Sequence, residues 1–139
     1  METSKTITVK TTVNAPVEKV WKFWSQPEHI KNWNHASPDW HTPIAENDFR
    51  AGGKFLSRME AKDGSFGFDF EGVYDTVTTH QYIHYTMADG RTVSIAFDGD
   101  ENETKITETF DPENQNPVEM QQTGWQMIID NFKKYTEAS

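Results

Sequence analysis

Asp63-Gly64 stands between two stretches in which apolar and polar residues alternate, and an Asp-Gly pair in that setting predicts a tight antiparallel hairpin. With Lys62 facing Ser65, Met59 faces Phe68, Ser57 faces Phe70 and Phe55 faces Gly72. Phe55, Ser57, Met59, Phe66, Phe68 and Phe70 then share one face, because a strand turns every second side chain to the same side. The same pairing sets Arg58 opposite Asp69 on the other face, where an ion pair is at home in water. Two independent signals thus agree on one register, and a chain so constrained folds around an antiparallel sheet.

The alternation continues on both sides of this hairpin. A turn near Thr79-His80 returns Ile83 and Tyr85 to the face of Tyr74 and pairs Asp75 with His84 on the wet side. At Asp89-Gly90 a two-residue turn would leave Val93, Ile95 and Phe97 outside, so a three-residue loop with a bulge at Gly90 is expected instead. In the last alternating run Thr104, Ile106, Glu108 and Phe110 share a face, and an earlier one carries Ile7, Val9, Thr11 and Val13. A short helix starts at Pro16 and reaches about Ser25, and a second begins at Pro27 with Ile30 and Trp33. The stretch from His35 to Gly53, with Pro38, Pro43 and Gly52-Gly53, reads as a long functional loop that presents Trp40 and Phe49. From about Pro117 to Tyr135 an apolar stripe recurs at helical spacing through Val118, Gln121, Trp125, Ile128, Ile129, Phe132 and Tyr135. The fold class is α+β: one domain over residues 1–139, in which a curved antiparallel sheet wraps around a long C-terminal helix and two short helices follow the first strand.

Phe, Val, Ile and Leu together make only 26 of 139 residues, with Leu56 the single leucine, and the net charge is −9. Both values border on those of disordered chains, but 13% aromatic content does not. The interior is therefore aromatic rather than leucine-rich, and a curved sheet closed by one helix leaves room for a cavity lined by such side chains. An acidic surface gives no electrostatic reason to bind nucleic acid or anionic lipid, and no apolar stretch approaches a membrane span. With no apolar run of a signal peptide between Met1 and Thr12, a cytoplasmic location is expected. Zero Cys removes disulfides and thiolate metal sites. His35, Asp39 and His41 match no zinc spacing, so no metal or cofactor is expected, and no nucleophile with its base marks a catalytic centre.

The candidate binding residues are those that face inward: Phe55, Ser57, Met59, Phe66, Phe68, Phe70, Tyr74, Tyr85, Val93, Glu108, Trp125 and, from the long helix, Gln121 or Gln122, joined by Trp33, Trp40 and Phe49. Glu108 has the parity of Ile106 and Phe110, which turns a carboxylate into apolar space where it needs a partner, water or a proton. Arg50 meets either an anionic group at the cavity mouth or a neighbour such as Asp48. Gly124 would let a strand or ligand approach the helix, and Met59, Met87, Met120 and Met127 would give the cavity adaptable walls.

Four stretches, Asn14-Ala15-Pro16-Val17-Glu18-Lys19-Val20-Trp21, Asp48-Phe49-Arg50-Ala51-Gly52-Gly53-Lys54-Phe55, Phe70-Glu71-Gly72-Val73-Tyr74, and Gly124-Trp125 followed by Asp130-Asn131-Phe132-Lys133-Lys134-Tyr135, together resemble one family. It is the bacterial family similar to the C-terminal domain of the activator of heat-shock protein 90 ATPase, within the START, or Bet v 1-like (SRPBCC), superfamily. The resemblance implies the helix-grip fold and a cavity for lipids, polyketides, flavonoids or other apolar molecules. The expected partner is thus a small apolar or aromatic ligand, bound by a monomer or weak dimer. Two alternatives are a cyclase or aromatase that works through polar cavity residues, Glu108 first, and a stress-related protein that contacts a chaperone without a ligand.

Overall fold

The computed structural model describes residues 6–35 and 37–139; residues 1–5, the start of the stretch read against a signal peptide, and residue 36, within the expected loop, lie outside the described residues. Its elements are β1 (Ile7–Val13), α1 (Val17–Ser25), α2 (Pro27–Trp33), β2 (Trp40–Asn47), β3 (Lys54–Ala61), β4 (Gly67–Thr78), β5 (Tyr82–Met87), β6 (Thr92–Gly99), β7 (Thr104–Phe110) and α3 (Val118–Ala138). The strands form one 7-stranded antiparallel sheet in the order β1-β7-β6-β5-β4-β3-β2, curled around α3. No helix among the described residues is long and apolar enough to cross a membrane.

The register derived from the first hairpin is the observed one: Met59 pairs with Phe68, Ser57 with Phe70, Phe55 with Gly72 and Arg58 with Asp69. The turn itself is different. Gly64 N–H donates to Ala61 O at 2.9 Å and Ala61 N–H to Phe66 O at 2.9 Å, so four residues span the turn instead of two. Adding one residue on each side leaves every pair below it unchanged. Gly72 is required where it stands, because a Cβ there would meet the Phe55 ring at 2.9 Å and Thr86 O at 2.6 Å. At the third hairpin Gly90 has φ +94°, and Met87 N–H reaches Arg91 O at 2.7 Å across a three-residue loop. Tyr85 accordingly pairs with Val93, and Val93, Ile95 and Phe97 are buried. Between these hairpins a bulge at Asp75 shifts the pairing, so Val77 rather than Thr76 stands opposite Ile83. Asp75 Oδ2 still meets His84 Nδ1, at 2.8 Å.

The segment expected to be a loop contains an edge strand. β2 pairs with β3 through Ile44–Asn47 and again at Trp40 and His41, with a shift at Thr42-Pro43. Pro43 is tolerated there because an edge strand has one side with no ladder partner for its missing N–H.

The opposite edge, β1, is covered by α3. Gln122 Nε2 donates to Thr8 O at 3.3 Å, Gln126 Nε2 to Lys10 O at 2.9 Å and Lys133 Nζ to Thr12 O at 2.7 Å. Alternate carbonyls of an edge strand point outward, and one flank of the helix satisfies three of them in turn. Of the two adjacent glutamines, Gln122 is thus taken up by the edge and Gln121 faces inward.

Candidate functional site

Under the N-terminal half of α3 the sheet and the helix leave an open-mouthed cavity of about 300 Å³. Trp125 and Ile128 of α3 form its roof, and Phe55, Phe70 and Tyr85 its sheet wall, with Trp24, Ile30 and Trp33 of the short helices at one end. The Trp125 ring is fixed by stacking on Phe110 at 3.8 Å between centroids and 12° between planes. Phe55 is held edge-on to Tyr85, at 4.7 Å, over the bare backbone of Gly72.

Several polar groups on this wall are already engaged. The Tyr74 hydroxyl donates to Asn47 Oδ1 at 2.7 Å, and Asn47 Nδ2 donates to Ser25 O at 2.6 Å, a relay that ties the end of α1 to the sheet. Gln121 Oε1 accepts from Glu113 N–H at 2.9 Å while its Nε2 donates to Asn116 O at 2.8 Å, so its amide holds the loop before α3. The Glu113 carboxylate accepts from Gln115 and Asn116, which holds it below its ordinary range. Arg91 Nε is on Asp89 at 2.8 Å.

Two titratable groups are both buried and unengaged. Glu108, opposite Ile95 in the ladder, is 6% exposed, and burial alone, with no partner to offset it, pushes its carboxyl up to about 8. Burial likewise drives the Tyr85 hydroxyl well above its ordinary value, and the Glu108 charge adds to this. The site thus offers the Glu108 carboxyl and the Tyr85 phenol, both buried, beside the Ser57 hydroxyl and the more exposed Glu46 carboxyl, none with a side-chain hydrogen-bond partner among the described residues, between aromatic and aliphatic walls. Such groups can orient a bound molecule or exchange a proton with it.

Of the residues chosen from the sequence, Trp33, Phe55, Ser57, Met59, Phe68, Phe70, Tyr74, Tyr85, Glu108, Gln121 and Trp125 line the cavity. Four do not. Phe66 lies just before β4, 61% exposed, because the hairpin runs past the cover of α3. Trp40 stands beside it, 6.0 Å from the rings of Phe66 and Phe68. Phe49 is wedged between Trp21 and Tyr74, at 5.2 Å from each, in the packed end of the molecule. Val93 has the inward parity but is closed off from the cavity, 1% exposed between Tyr85 and Phe110 in the ladder.

Among the methionines, Met59 lines the cavity, Met87 is core, and Met120 and Met127 point to solvent. A methyl group at Gly124 would meet nothing within 4 Å, so the glycine accommodates no close approach by the protein. Arg50 pairs with Asp48 at 2.9 Å. Among the described residues no three His, Cys, Asp or Glu converge on a metal position; His41 meets Glu60 at 3.7 Å, and His35 Nε2 meets the Asn131 amide at 3.0 Å.

The reading from sequence missed Asn47 and Glu46, which reach the cavity from β2, and Arg91 and Glu113, which reach it from turns. The alternation Ala45, Asn47 against Ser57, Phe55 carried a signal for β2 that the two prolines masked.

The chain matches the family model "Activator of Hsp90 ATPase homolog 1-like protein" over residues 14–137. The solution structure of an AHSA1-like protein from Aeromonas hydrophila is 42% identical, with a TM-score of 0.89 over 96% of this chain and 93% of that one. A protein from Cytophaga hutchinsonii, also solved in solution, is 56% identical, with a TM-score of 0.82 over 95% and 92%. The Aha1 dimer from Colwellia psychrerythraea shares the fold at a TM-score of 0.75 and 14% identity, over 96% of each chain. No curated protein matches. With nearly its whole length under one family model and two relatives of this identity, the chain belongs to the Activator of Hsp90 ATPase homolog 1-like family.

Proposed function

We propose that the chain binds a small, largely apolar molecule between the sheet and α3. The observation that carries this is a largely apolar, aromatic-rich cavity of about 300 Å³ in which the Tyr85 hydroxyl and the Glu108 carboxyl have no hydrogen-bond partner among the described residues. A volume at the low end of ligand pockets, which run from roughly 300 to 1,000 Å³, suits one or two fused rings with a short tail. An amide chemical-shift screen of apolar ring compounds tests it. Ser57, Phe70, Tyr85 and Trp125 should move together and saturate; shifts confined to the outer face of the sheet would remove the reading.

A second reading is favoured by Glu108. A carboxyl held near 8 keeps its proton at neutral pH and can give it up there, which is what a cyclase or aromatase needs from an acid or base. Under this reading Glu108→Gln abolishes turnover of a bound polyketide-like substrate while binding persists. Contact with a chaperone is suggested by the family's description alone.

A further inference from the structure

The cavity's charges are unbalanced. Glu46, Glu108 and Glu113 line it against Arg91, whose guanidinium is on Asp89, and the chain as a whole carries −9. Glu113 is satisfied by its own loop, and Glu46 stands exposed to water on the edge strand. Glu108 is not: it projects from β7, 6% exposed, into a space walled by the rings of Phe55, Phe70, Tyr85 and Trp125. From these features we infer that the bound molecule is a ring-bearing apolar amine, with its ammonium against the Glu108 carboxylate and its ring among those aromatic side chains. The inference rests on the cavity being a ligand site, and names the class of ligand.

The alternatives fit less well on physical grounds. An anionic ligand, such as a fatty acid or an aromatic acid, would find Arg91 already engaged with Asp89 and would have to hold Glu108 in its protonated form, since two buried negative charges side by side are costly. A neutral ketone or alcohol would find Glu108 useful only as a neutral hydrogen-bonding group, which Gln supplies in the same shape without a burial penalty. A cation is the one partner that uses what a carboxyl has and an amide lacks. Its presence favours the charged form of Glu108, and the faces of the surrounding rings attract it as well.

One indole skeleton with three tails tests this on the full chain by calorimetric titration and amide shifts: tryptamine (cationic), tryptophol (neutral) and indole-3-acetate (anionic). Tryptamine should bind about tenfold or more tighter than tryptophol, the margin of a charged over a neutral hydrogen bond, and indole-3-acetate weakest. Glu108→Gln should bring tryptamine down to the level of tryptophol. Equal binding of tryptamine and tryptophol, both shifting Tyr85 and Trp125, would overturn the amine assignment and leave the apolar-ligand reading in place. Retention of the tryptamine preference in Glu108→Gln would overturn the role of Glu108. If none of the three moved Tyr85 or Trp125 at up to its solubility, both readings would fall. The charge series on the unaltered protein decides the ligand class even if the variant does not fold.

Discussion

The two halves of α3 cover different undersides. Toward its C-terminus Ile129, Phe132 and Thr136 are fully buried, with Phe132 set edge-on against Trp24 and Trp33 at 4.9 Å from each. Toward its N-terminus Trp125 and Ile128 stand over the cavity while Val118 and Met120 face solvent. Residue type does not explain the difference, since Trp and Phe serve in both halves. The cause is the third layer. α1 and α2 pack their aromatic side chains under the C-terminal half of the helix, and Trp33 Nε1 donates to Phe23 O at 3.0 Å to lock the two short helices together. Beneath the N-terminal half no such layer is inserted, so the curled sheet and the helix are held apart. The cavity is therefore a product of topology, and the packed end is what keeps it open.

The largest effects should come from the packed end. Phe132→Ala removes a fully buried ring from a cluster that cannot collapse around the loss, and about 3–5 kcal/mol of unfolding free energy should go with it. Phe70→Ala, on the cavity wall, removes a half-buried ring that faces space on one side, and about 1–2 kcal/mol is expected. Urea unfolding of both variants measures the contrast. Equal losses would mean that the cavity wall is as tightly supported as the core, and the distinction between the two ends would fail.

Glu108 gives a test that depends on pH. Its carboxyl stays protonated up to about 8 in the folded chain, against an ordinary 4.5. Below 4.5 both folded and unfolded chains hold the proton, and the group is neutral to stability. As pH rises from there to about 8 the unfolded chain releases the proton and the folded chain does not, so stability falls through that window and then levels off. Glu108→Gln removes this dependence. Its stability relative to the parent should increase steadily between those limits, by about 2–4 kcal/mol in total, the charge being largely out of water. Thermal unfolding at pH 4, 6 and 9 shows it; a constant difference would mean that water reaches the carboxyl freely.

These contrasts were unequally legible in the sequence. Glu108 could be placed because one strand with unbroken parity carries it between Ile106 and Phe110, and Met59 opposite Phe68 because hairpin register depends on the sum of paired positions and survives a change of turn. Strand β2 was hidden, because Pro43 signals a break in any central strand and is harmless only at an edge, which the local sequence does not reveal. Phe66 and Phe49 lie away from the cavity for a related reason. Parity tells which face a side chain takes but not how far along that face the covering helix extends, nor which end the short helices fill. That Gln121 rather than Gln122 turns inward depends on the β1 carbonyls that Gln122 serves, a long-range match of helix rotation to strand edge.

Gln121 holds the boundary between the helix and the cavity mouth. Gln121→Ala would take the buried amide from Glu113 N–H and Asn116 O, and because that loop is open to water a loss of about 0.5–1.5 kcal/mol is expected. Hydrogen exchange should accelerate at Glu113 to Asn116 and not at Ile129 to Thr136. Acceleration over the whole helix would mean that its two halves open as one unit.

The smallest effect falls within the open half of α3 itself. Gly124 lies one residue from Trp125 in mid-helix, and a methyl group added there meets nothing within 4 Å. A glycine in a helix interior costs up to about 1 kcal/mol relative to alanine, because its backbone has more freedom to lose on folding. Gly124→Ala should therefore stabilise the chain by about 0.5–1 kcal/mol in urea unfolding, with amide shifts confined to its own turn. In the buried half a glycine would act differently, since a side chain added among Ile129, Phe132 and the tryptophans would have to displace one of them. A gain of stability at Gly124 that leaves the Trp125 ring on Phe110 would show that the N-terminal half of α3 is held apart by the sheet and the aromatic stack. Destabilisation would show instead that this half closes toward the sheet in solution, so that the cavity is shut for part of the time.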